Sequence, residues 1–362
     1  MPIRLFSTNQ ILAIVWFTWT ASFCALAQEA PITQEAPVVQ DNPTQDDEEN
    51  LTLEERYLAA RASLVQLSKE IQANQQQQAV PSVLDKRTKA DQQINANPFS
   101  LAQHYPNYLL PLSYSKNPSA GIANDLTEDN VDNIEAAFQI SMKIPIFFRP
   151  QESRSNELQQ SNHNTDLTGL YFGFTAKSFW QVYNNEVSKP FRETNYEPEI
   201  FYTWQADLSL WQYRVNAFQI GLNHQSNGQS GLRSRSWNRV IFTALFSDFN
   251  SAYSIKTWWR LPEDNKLSVD DPLGDDNPDI NDFIGRVELG YAFVYYDVSI
   301  VARLRNNLST SRNLSSLELN VTYPITNRYD VLFQYFNGYG DSLIDYNRHQ
   351  SRISLGLQLR FL

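Results

Sequence analysis

From about Asn97 to its C-terminus the chain alternates apolar and polar residues with a period of two, in one segment after another. Period two marks strands with two unlike faces. The clearest segment is 134–146. Ile134, Ala136, Phe138, Ile140, Met142, Ile144 and Ile146 share one face, and Glu135, Ala137, Gln139, Ser141 and Lys143 the other. The pattern returns at 170–182, 200–208, 218–226, 238–246, 287–293, 298–304, 317–323, 329–335 and 353–361. Weaker candidates at 107–115 and 252–260 bring the total to about twelve, an even number as bacterial membrane barrels require. Turn clusters such as Asn306-Asn307 and Asn337-Gly338 separate them. Beyond residue 27 no stretch of 18 or more apolar residues occurs, which excludes a helical membrane protein and leaves a barrel open.

The expected fold is therefore all-β, a twelve-stranded antiparallel transmembrane β-barrel. A hydrophobic content of 42% would pass for a soluble protein, but in such a barrel only every second strand residue meets lipid. An aromatic content of 13% suits the aromatic girdles at the two interfaces. The inward positions carry both signs of charge: Glu135, Lys143, Lys177, Arg286, Glu288, Arg303, Arg305, Glu318 and Arg360. Opposite charges facing one another in a narrow lumen would pair and fill it, which argues against a wide solute pore. The last strand alternates Ile353, Leu355, Leu357, Leu359 and Phe361. Leu362 then follows, where barrels of this kind usually finish on an aromatic residue.

The N-terminus reads as a Sec-type signal peptide over residues 1–27. Arg4 precedes an apolar run from Ile11 to Ala27, which closes on Ala25-Leu26-Ala27 with cleavage before Gln28. The single Cys24 lies inside that signal and follows Phe23, so neither a lipoprotein anchor nor a disulfide framework is expected. Residues 28–96 form a low-complexity periplasmic extension. Its first part, 28–50, is rich in Gln, Pro, Asp and Glu and is expected to be disordered. At about 52–73 the spacing predicts an amphipathic helix, opened by the capping-box residues Thr52 and Glu55. Leu53, Tyr57, Ala60, Leu64, Leu67 and Ile71 make its stripe. That helix could pack on a second copy, could meet a periplasmic protein, or could be a marginal helix in a tether. Residues 97–362 form the barrel domain.

The chemistry concentrates in one hairpin. Phe218, Ile220, Leu222, His224 and Ser226 share a strand face, and their apolar members mark it as the lipid side. On the return strand Asn238, Val240, Phe242, Ala244 and Phe246 do the same. A turn near residue 231 places His224 opposite Asn238, at roughly 5 Å. Three polar groups on a lipid-facing wall are costly unless they pair and work. Ser226 is a weak nucleophile that needs an adjacent base. His224 could take its proton and return it to a leaving alcohol. Asn238 could accept from the other ring nitrogen and hold the ring. An amide stabilises imidazolium less than a carboxylate would, so further electrostatic help is expected. Gly228 could bring its N–H to a developing oxyanion. His-x-Ser alone is a weak signal, a strand-end cap would explain Asn238, and a turn would explain Gly228. The shared outward placement is what favours a site that cuts lipid.

The segments Asn223-His224-Gln225-Ser226-Asn227-Gly228 and Ser234-Arg235-Ser236-Trp237-Asn238-Arg239 resemble the active-site hairpin of the outer-membrane phospholipase A family. So do Lys189 to Pro198, Asp275 to Ile280 and Gly338 to Asn347. The likeness runs in consistent order from roughly Asn97 to the end and does not reach residues 28–96. The resemblance implies a calcium-dependent enzyme of the bacterial outer membrane that hydrolyses acyl esters of phospholipids and lysophospholipids (phospholipase A1 and A2 activity) and is activated by homodimerisation. It implies Ser226 as nucleophile, His224 as base and Asn238 as the orienting amide. It also implies calcium held by the Ser234 hydroxyl, the Gln229 backbone carbonyl and a backbone oxygen from Ser188 of the partner subunit, sharing the oxyanion with the Gly228 N–H. Where a better-known member carries Arg, this chain has Gln229, and a backbone carbonyl ligand is indifferent to that change.

Other residues have plainer readings. Asp270, Asp271, Asp275, Asp276 and Asp279 are read as a solvated, flexible extracellular loop rather than a second calcium site. Trp180, Trp237, Trp258 and Trp259 are assigned to the interfacial girdle. Arg233, Arg235 and Arg239 could meet lipid phosphate or form salt bridges in the lumen or headgroup zone. The expected partners are phospholipid, a second copy and the outer membrane, with no nucleic acid. The rival reading is a catalytically silent narrow barrel, porin-like or structural. A protease is disfavoured, because a serine facing hydrocarbon is badly placed to meet a polypeptide.

Overall fold

The structure, a computed structural model, describes residues 57–58, 60–67, 69, 84, 101–148, 167–268, 271 and 274–360. The expected signal peptide, the stretch 28–50 and the last two residues lie outside them. Of the helix expected at 52–73, residues 57–58, 60–67 and 69 are described, and they are helical.

The strands form one antiparallel sheet that closes on itself. Its strands are β1 (Ala102–Gln103), β2 (Tyr108–Ser115), β3 (Ile134–Phe148), β4 (Gly169–Trp180), β5 (Phe191–Leu210), β6 (Tyr213–Ser226), β7 (Ser236–Ser247), β8 (Ser251–Arg260), β9 (Val287–Tyr295), β10 (Val298–Asn306), β11 (Ser315–Pro324), β12 (Tyr329–Gly338) and β13 (Gln350–Leu359). β2 to β13 pair in chain order and β13 returns to β2, a closed barrel of twelve strands. The two-residue β1 pairs with β3 just beyond β2, so it continues the line of that strand.

Alternation, interrupted by bulges in β2 and β5, orients the strands. Leu109, Leu112, Ile140, Ile200, Leu222, Phe242, Leu289, Leu317, Phe333 and Leu355 stand exposed on the outside, where only lipid makes such a surface favourable. Short turns at 211–212, 248–250, 296–297 and 325–328 gather at one end, beside exposed Trp211, Phe249, Tyr295, Tyr296, Tyr323 and Tyr329. Among the described residues the longer loops, such as 116–133, 227–235 and 339–349, gather at the other, an asymmetry common in outer-membrane barrels.

One strand starts earlier than its alternation suggests. β5 begins at Phe191, not near residue 200. A bulge opposite Phe179 and Trp180 turns both Arg192 and Glu193 inward, and Pro198 interrupts the pattern. With no apolar face to see, the period of two disappears although the strand does not.

Ion pairs cross the lumen and narrow it. Arg303 pairs with Glu318, Arg239 with Glu197 at 2.8 Å, and Lys256 and Arg305 approach Glu288 at 3.9 Å. Arg286 and Arg360, expected inside, are exposed because they lie just beyond strand ends. A cavity of about 130 Å³ remains among Lys177, Arg239, Lys256, Glu288, Arg303 and Glu318. The loop 339–349 folds over the mouth on the long-loop side. Its Asp341 takes hydrogen bonds from Arg352 at 2.7 and 2.9 Å and from Lys177 at 3.0 Å. Asp345 takes one from Arg192 at 2.7 Å, and Arg192 also grips Glu135. Asn195 and Glu193 accept the backbone N–H groups of Leu343 and Ile344.

Trp237 and Trp258 depart from their girdle assignment. Both are buried inside the barrel with Ile241, Ile280, Ile284, Leu343 and Tyr346, because odd-numbered β7 residues and Trp258 face inward. Trp259 is 64% exposed on the outer face, and Trp180 stacks on Phe191 near the long-loop end.

Candidate active site

The β6–β7 hairpin rises at the long-loop end of the barrel. Its register pairs His224 with Asn238, Gln225 with Trp237 and Ser226 with Ser236. Because Trp237, Arg239 and Ile241 are buried inward, Asn238 and its opposite His224 point outward, in line with exposed Leu222 and Phe242. Ser226, two residues from His224, stands on the same face. On the other side β5 presents Tyr196 opposite Ser226. The ladder is unbridged between that pair and Glu199↔Asn223, so Pro198 falls beside His224, where it has no N–H to give.

The His224 Nδ1 lies 2.9 Å from Asn238 Oδ1. The other end of the same amide, Nδ2, donates to Glu263 Oε1 at 2.9 Å. Ser226 and His224 make no hydrogen bond to each other among the described residues. Such bonds are commonly long before substrate arrives and tighten afterwards.

The loop between the two strands is shaped by Asn227. Its side chain is buried, donates to the Arg233 carbonyl at 2.9 Å, and accepts from the Gln229 and Arg235 N–H groups. One asparagine thereby supplies several of the turn's hydrogen bonds. Gly228 follows at φ +66°, a left-handed conformation suited to glycine. A Cβ there would touch the Tyr196 ring at 3.4 Å.

The acidic segment is not the free loop expected from its charge run. Asp276 accepts the Ser234 hydroxyl at 2.6 Å and the Ser236 hydroxyl at 3.1 Å, and it also pairs with Lys266. Asp275 is held by Arg260, and Asp279 takes the Tyr346 hydroxyl. Burial, and then the Asp279 carboxylate, raises the Tyr346 hydroxyl well above the ordinary phenol range. Asn277 Oδ1 accepts the Ser236 N–H at 3.0 Å. Asp271 is described as well, and its carboxylate caps the Leu267 N–H. Asp270 lies outside the described residues. Serines and carboxylates pair here because the loop after β8 folds back along β7.

Of the residues singled out in the sequence, His224 and Asn238 touch, and Ser226 shares their face. Gly228 and Gln229 sit in the turn above, and Ser234 closes it beside Asp276. Ser188 lies exposed in the β4–β5 hairpin. Arg239 points into the lumen toward Glu197 and Asn223. Arg233 donates to the Ile122 carbonyl and Asn124, and Arg235 to the carbonyls of Leu232 and Ser234. Ser236 and Glu263 carry no role in the sequence reading, and Asp276, read there as part of a solvated acidic run, instead holds two serine hydroxyls. Ser236 was available from the register, since His224 opposite Asn238 forces Ser226 opposite Ser236. Glu263 and Asp276 lie in a loop without periodicity, and no sequence signal placed them.

The family model described as Phospholipase A1 matches residues 84–359. Phospholipase A1 of Escherichia coli strain K12 is 33% identical over 270 residues, covering 75% of this chain and 85% of that protein. Outer membrane phospholipase A from Escherichia coli is similar in structure, with a TM-score of 0.62 and 30% identity over 73% of this chain and all of that one. The outer membrane phospholipase dimer of Salmonella typhi with bound calcium gives the same TM-score and identity, covering 73% of this chain and 93% of that chain.

Proposed function

Since this chain belongs to the phospholipase A1 family and is a phospholipase of the outer membrane, we propose that it hydrolyses acyl esters through Ser226, His224 and Asn238, with calcium, as a homodimer. The observation that carries this reading is the 2.9 Å contact between His224 Nδ1 and Asn238 Oδ1 on the hydrocarbon-exposed wall.

Asn238 Oδ1 accepts the Nδ1 proton, which leaves His224 Nε2 as the basic nitrogen. His224 Nε2 takes the Ser226 hydroxyl proton as Oγ bonds to the acyl carbonyl carbon of the phospholipid. The carbon–oxygen bond to the glycerol breaks, and His224 returns the proton to that alcohol oxygen. Water, deprotonated in turn by His224, attacks the acyl–Ser226 ester. Fatty acid departs and the hydroxyl is restored. The Gly228 N–H is the main-chain donor for the carbonyl oxygen as it gains charge.

The donor set fits calcium. Ser234, the Gln229 carbonyl and Ser188 of the partner subunit offer the oxygen ligands a hard cation prefers, and Asp276 on the Ser234 hydroxyl brings a carboxylate to the same place. When bound, calcium supplies positive charge that stabilises the oxyanion, which offsets the weaker support an amide gives imidazolium.

The test is fatty-acid release from phospholipid by protein purified in detergent, with calcium or chelator, beside Ser226→Ala. Release that persists in the alanine variant removes the nucleophile, and indifference to chelator removes the metal. Cross-linking that finds only monomer in the active preparation removes the shared site.

A further inference from the structure

Resting on the Ser226–His224–Asn238 reading, we propose that Glu263 is a positioning residue of this active site. Its carboxylate fixes which way round the Asn238 amide stands, and so decides which nitrogen of His224 is basic.

The two ends of an asparagine amide have almost the same shape, and either could face the imidazole. The chemistry separates them. With the oxygen toward the ring, Nδ1 carries the proton and Nε2 is free to take one from serine. With the NH₂ toward the ring, Nδ1 must accept, the proton moves to Nε2, and no base faces the nucleophile. Nothing within the His224–Asn238 pair selects between these arrangements. Glu263 does, because an ionised carboxylate only accepts. It takes the Nδ2–H at 2.9 Å and so turns Oδ1 to His224.

The carboxylate is delivered by backbone anchored on both sides. The Leu261 N–H donates to the Asn238 carbonyl at 2.8 Å, which ties the chain just after β8 to the residue it serves. Pro262 follows with its φ fixed by its ring. The Asp264 carbonyl then accepts the Asp275 N–H at 2.7 Å, and Lys266 pairs with Asp276. Glu263 sits between these ties, half-buried. The negative charge stands one hydrogen bond behind the amide. It polarises the Asn238 carbonyl toward the ring and supports imidazolium, the support an amide alone gives poorly.

The experiment compares wild type, Ser226→Ala, Glu263→Ala, Glu263→Gln, Asn238→Ala and Asn238→Ala/Glu263→Ala as full-length protein in detergent with calcium. Each is checked for a folded barrel by heat-dependent gel mobility. Glu263→Ala is expected to lower kcat by about 10- to 100-fold with little change in KM, the loss of a hydrogen bond to a charged group. It should also move the acid limb of the kcat/KM profile to lower pH, because removing an anion makes imidazolium less stable. Glu263→Gln keeps the shape and loses the charge. It should retain more of the rate and still shift the limb. The double variant should be no slower than Asn238→Ala, since Glu263 acts through that amide.

An unchanged acid limb in Glu263→Gln overturns the proposal, even if Glu263→Ala does not fold. So does a double variant in which the two losses multiply. Either result, in a preparation where Ser226→Ala is inactive, leaves the triad standing. Hydrolysis that survives in Ser226→Ala overturns the triad itself.

Discussion

His224 and Asn238 face each other directly across the β6–β7 ladder, with Nδ1 and Oδ1 2.9 Å apart on the outer wall of the barrel. The pairing is made by backbone register, so removing the amide should leave the strand in place. Asn238→Ala is expected to lower kcat by about 10- to 100-fold, the range for a hydrogen bond to a group that becomes charged. KM should hardly change, because the amide touches the histidine and not the lipid. Steady-state hydrolysis of a dispersed phospholipid measures both constants.

How much of this was legible depended on period. Wherever Ile, Leu, Phe or Val alternated with polar residues, as from Ile134 to Ile146, both the strand and its facing could be read. Register follows from the turn, which sets His224 opposite Asn238 from the sequence alone. The signal failed where the outer face lost its apolar residues, as in the first half of β5, and where a loop folded back on the barrel. Trp237 looks like a girdle residue until the loop 339–349, a plug in the barrel mouth, brings Leu343 and Tyr346 against it. Asp276 looks solvated for the same reason. Side chains brought together across loops leave no periodic trace.

Asp341 gives the fold an acid-sensitive joint. Burial raises its pKa, but Arg352 and Lys177 outweigh that and hold the carboxyl well below the usual carboxylate range. A folded pKa below the unfolded one contributes stability that is complete above the unfolded value, near 3.8. That stability is lost as pH falls toward the folded value. Asp341→Asn leaves Arg352 buried without its carboxylate and should cost about 3 kcal/mol at pH 7. The gap between variant and wild type should narrow below about pH 4. Urea unfolding in detergent at pH 7 and pH 3 reads both.

The plug loop leaves β12 through Gly338, at φ +130°. A Cβ there would lie 2.3 Å from the Ser315 carbonyl oxygen, inside contact distance of backbone that cannot swing away. Gly338→Ala combines that clash with an unfavourable backbone region, at a cost of about 1–3 kcal/mol. The loop carrying Asp341 and Asp345 should loosen, and protease should cut at 339–349 in the variant before it cuts wild type.

Ser234 offers its hydroxyl where Asp276 already reaches. If calcium binds there, Ser234→Ala removes one oxygen donor and leaves the backbone ligands in place. The calcium needed for half-maximal hydrolysis should rise about tenfold or more, with the rate at saturating calcium less affected. A calcium titration of activity, paired with calorimetry of calcium binding, separates weakened binding from damage to the nucleophile.

The register that brings the outer residues together is held from the inner face. Gln225 and Trp237 are direct partners, set between the outward pairs His224↔Asn238 and Ser226↔Ser236. The Trp237 Nε1–H donates to Gln225 Oε1 at 2.9 Å, and the Arg239 guanidinium lies 4.0 Å from the ring centre. The indole is fully buried and meets Trp258 edge-on. Trp237→Phe keeps an aromatic ring and loses the N–H, which should cost about 1 kcal/mol. Trp237→Ala opens a cavity beneath the hairpin and should cost about 3–5 kcal/mol. If the indole is a wedge that keeps β6 in register with β7, kcat must fall in the same order while KM stays level. The alanine variant should then be slower than its folded fraction explains. Unfolding curves together with active-site titration by a serine-directed phosphonate give that fraction. A Trp237→Ala protein with full activity per folded molecule would show that Ser226, His224 and Asn238 keep their alignment without the inner clamp.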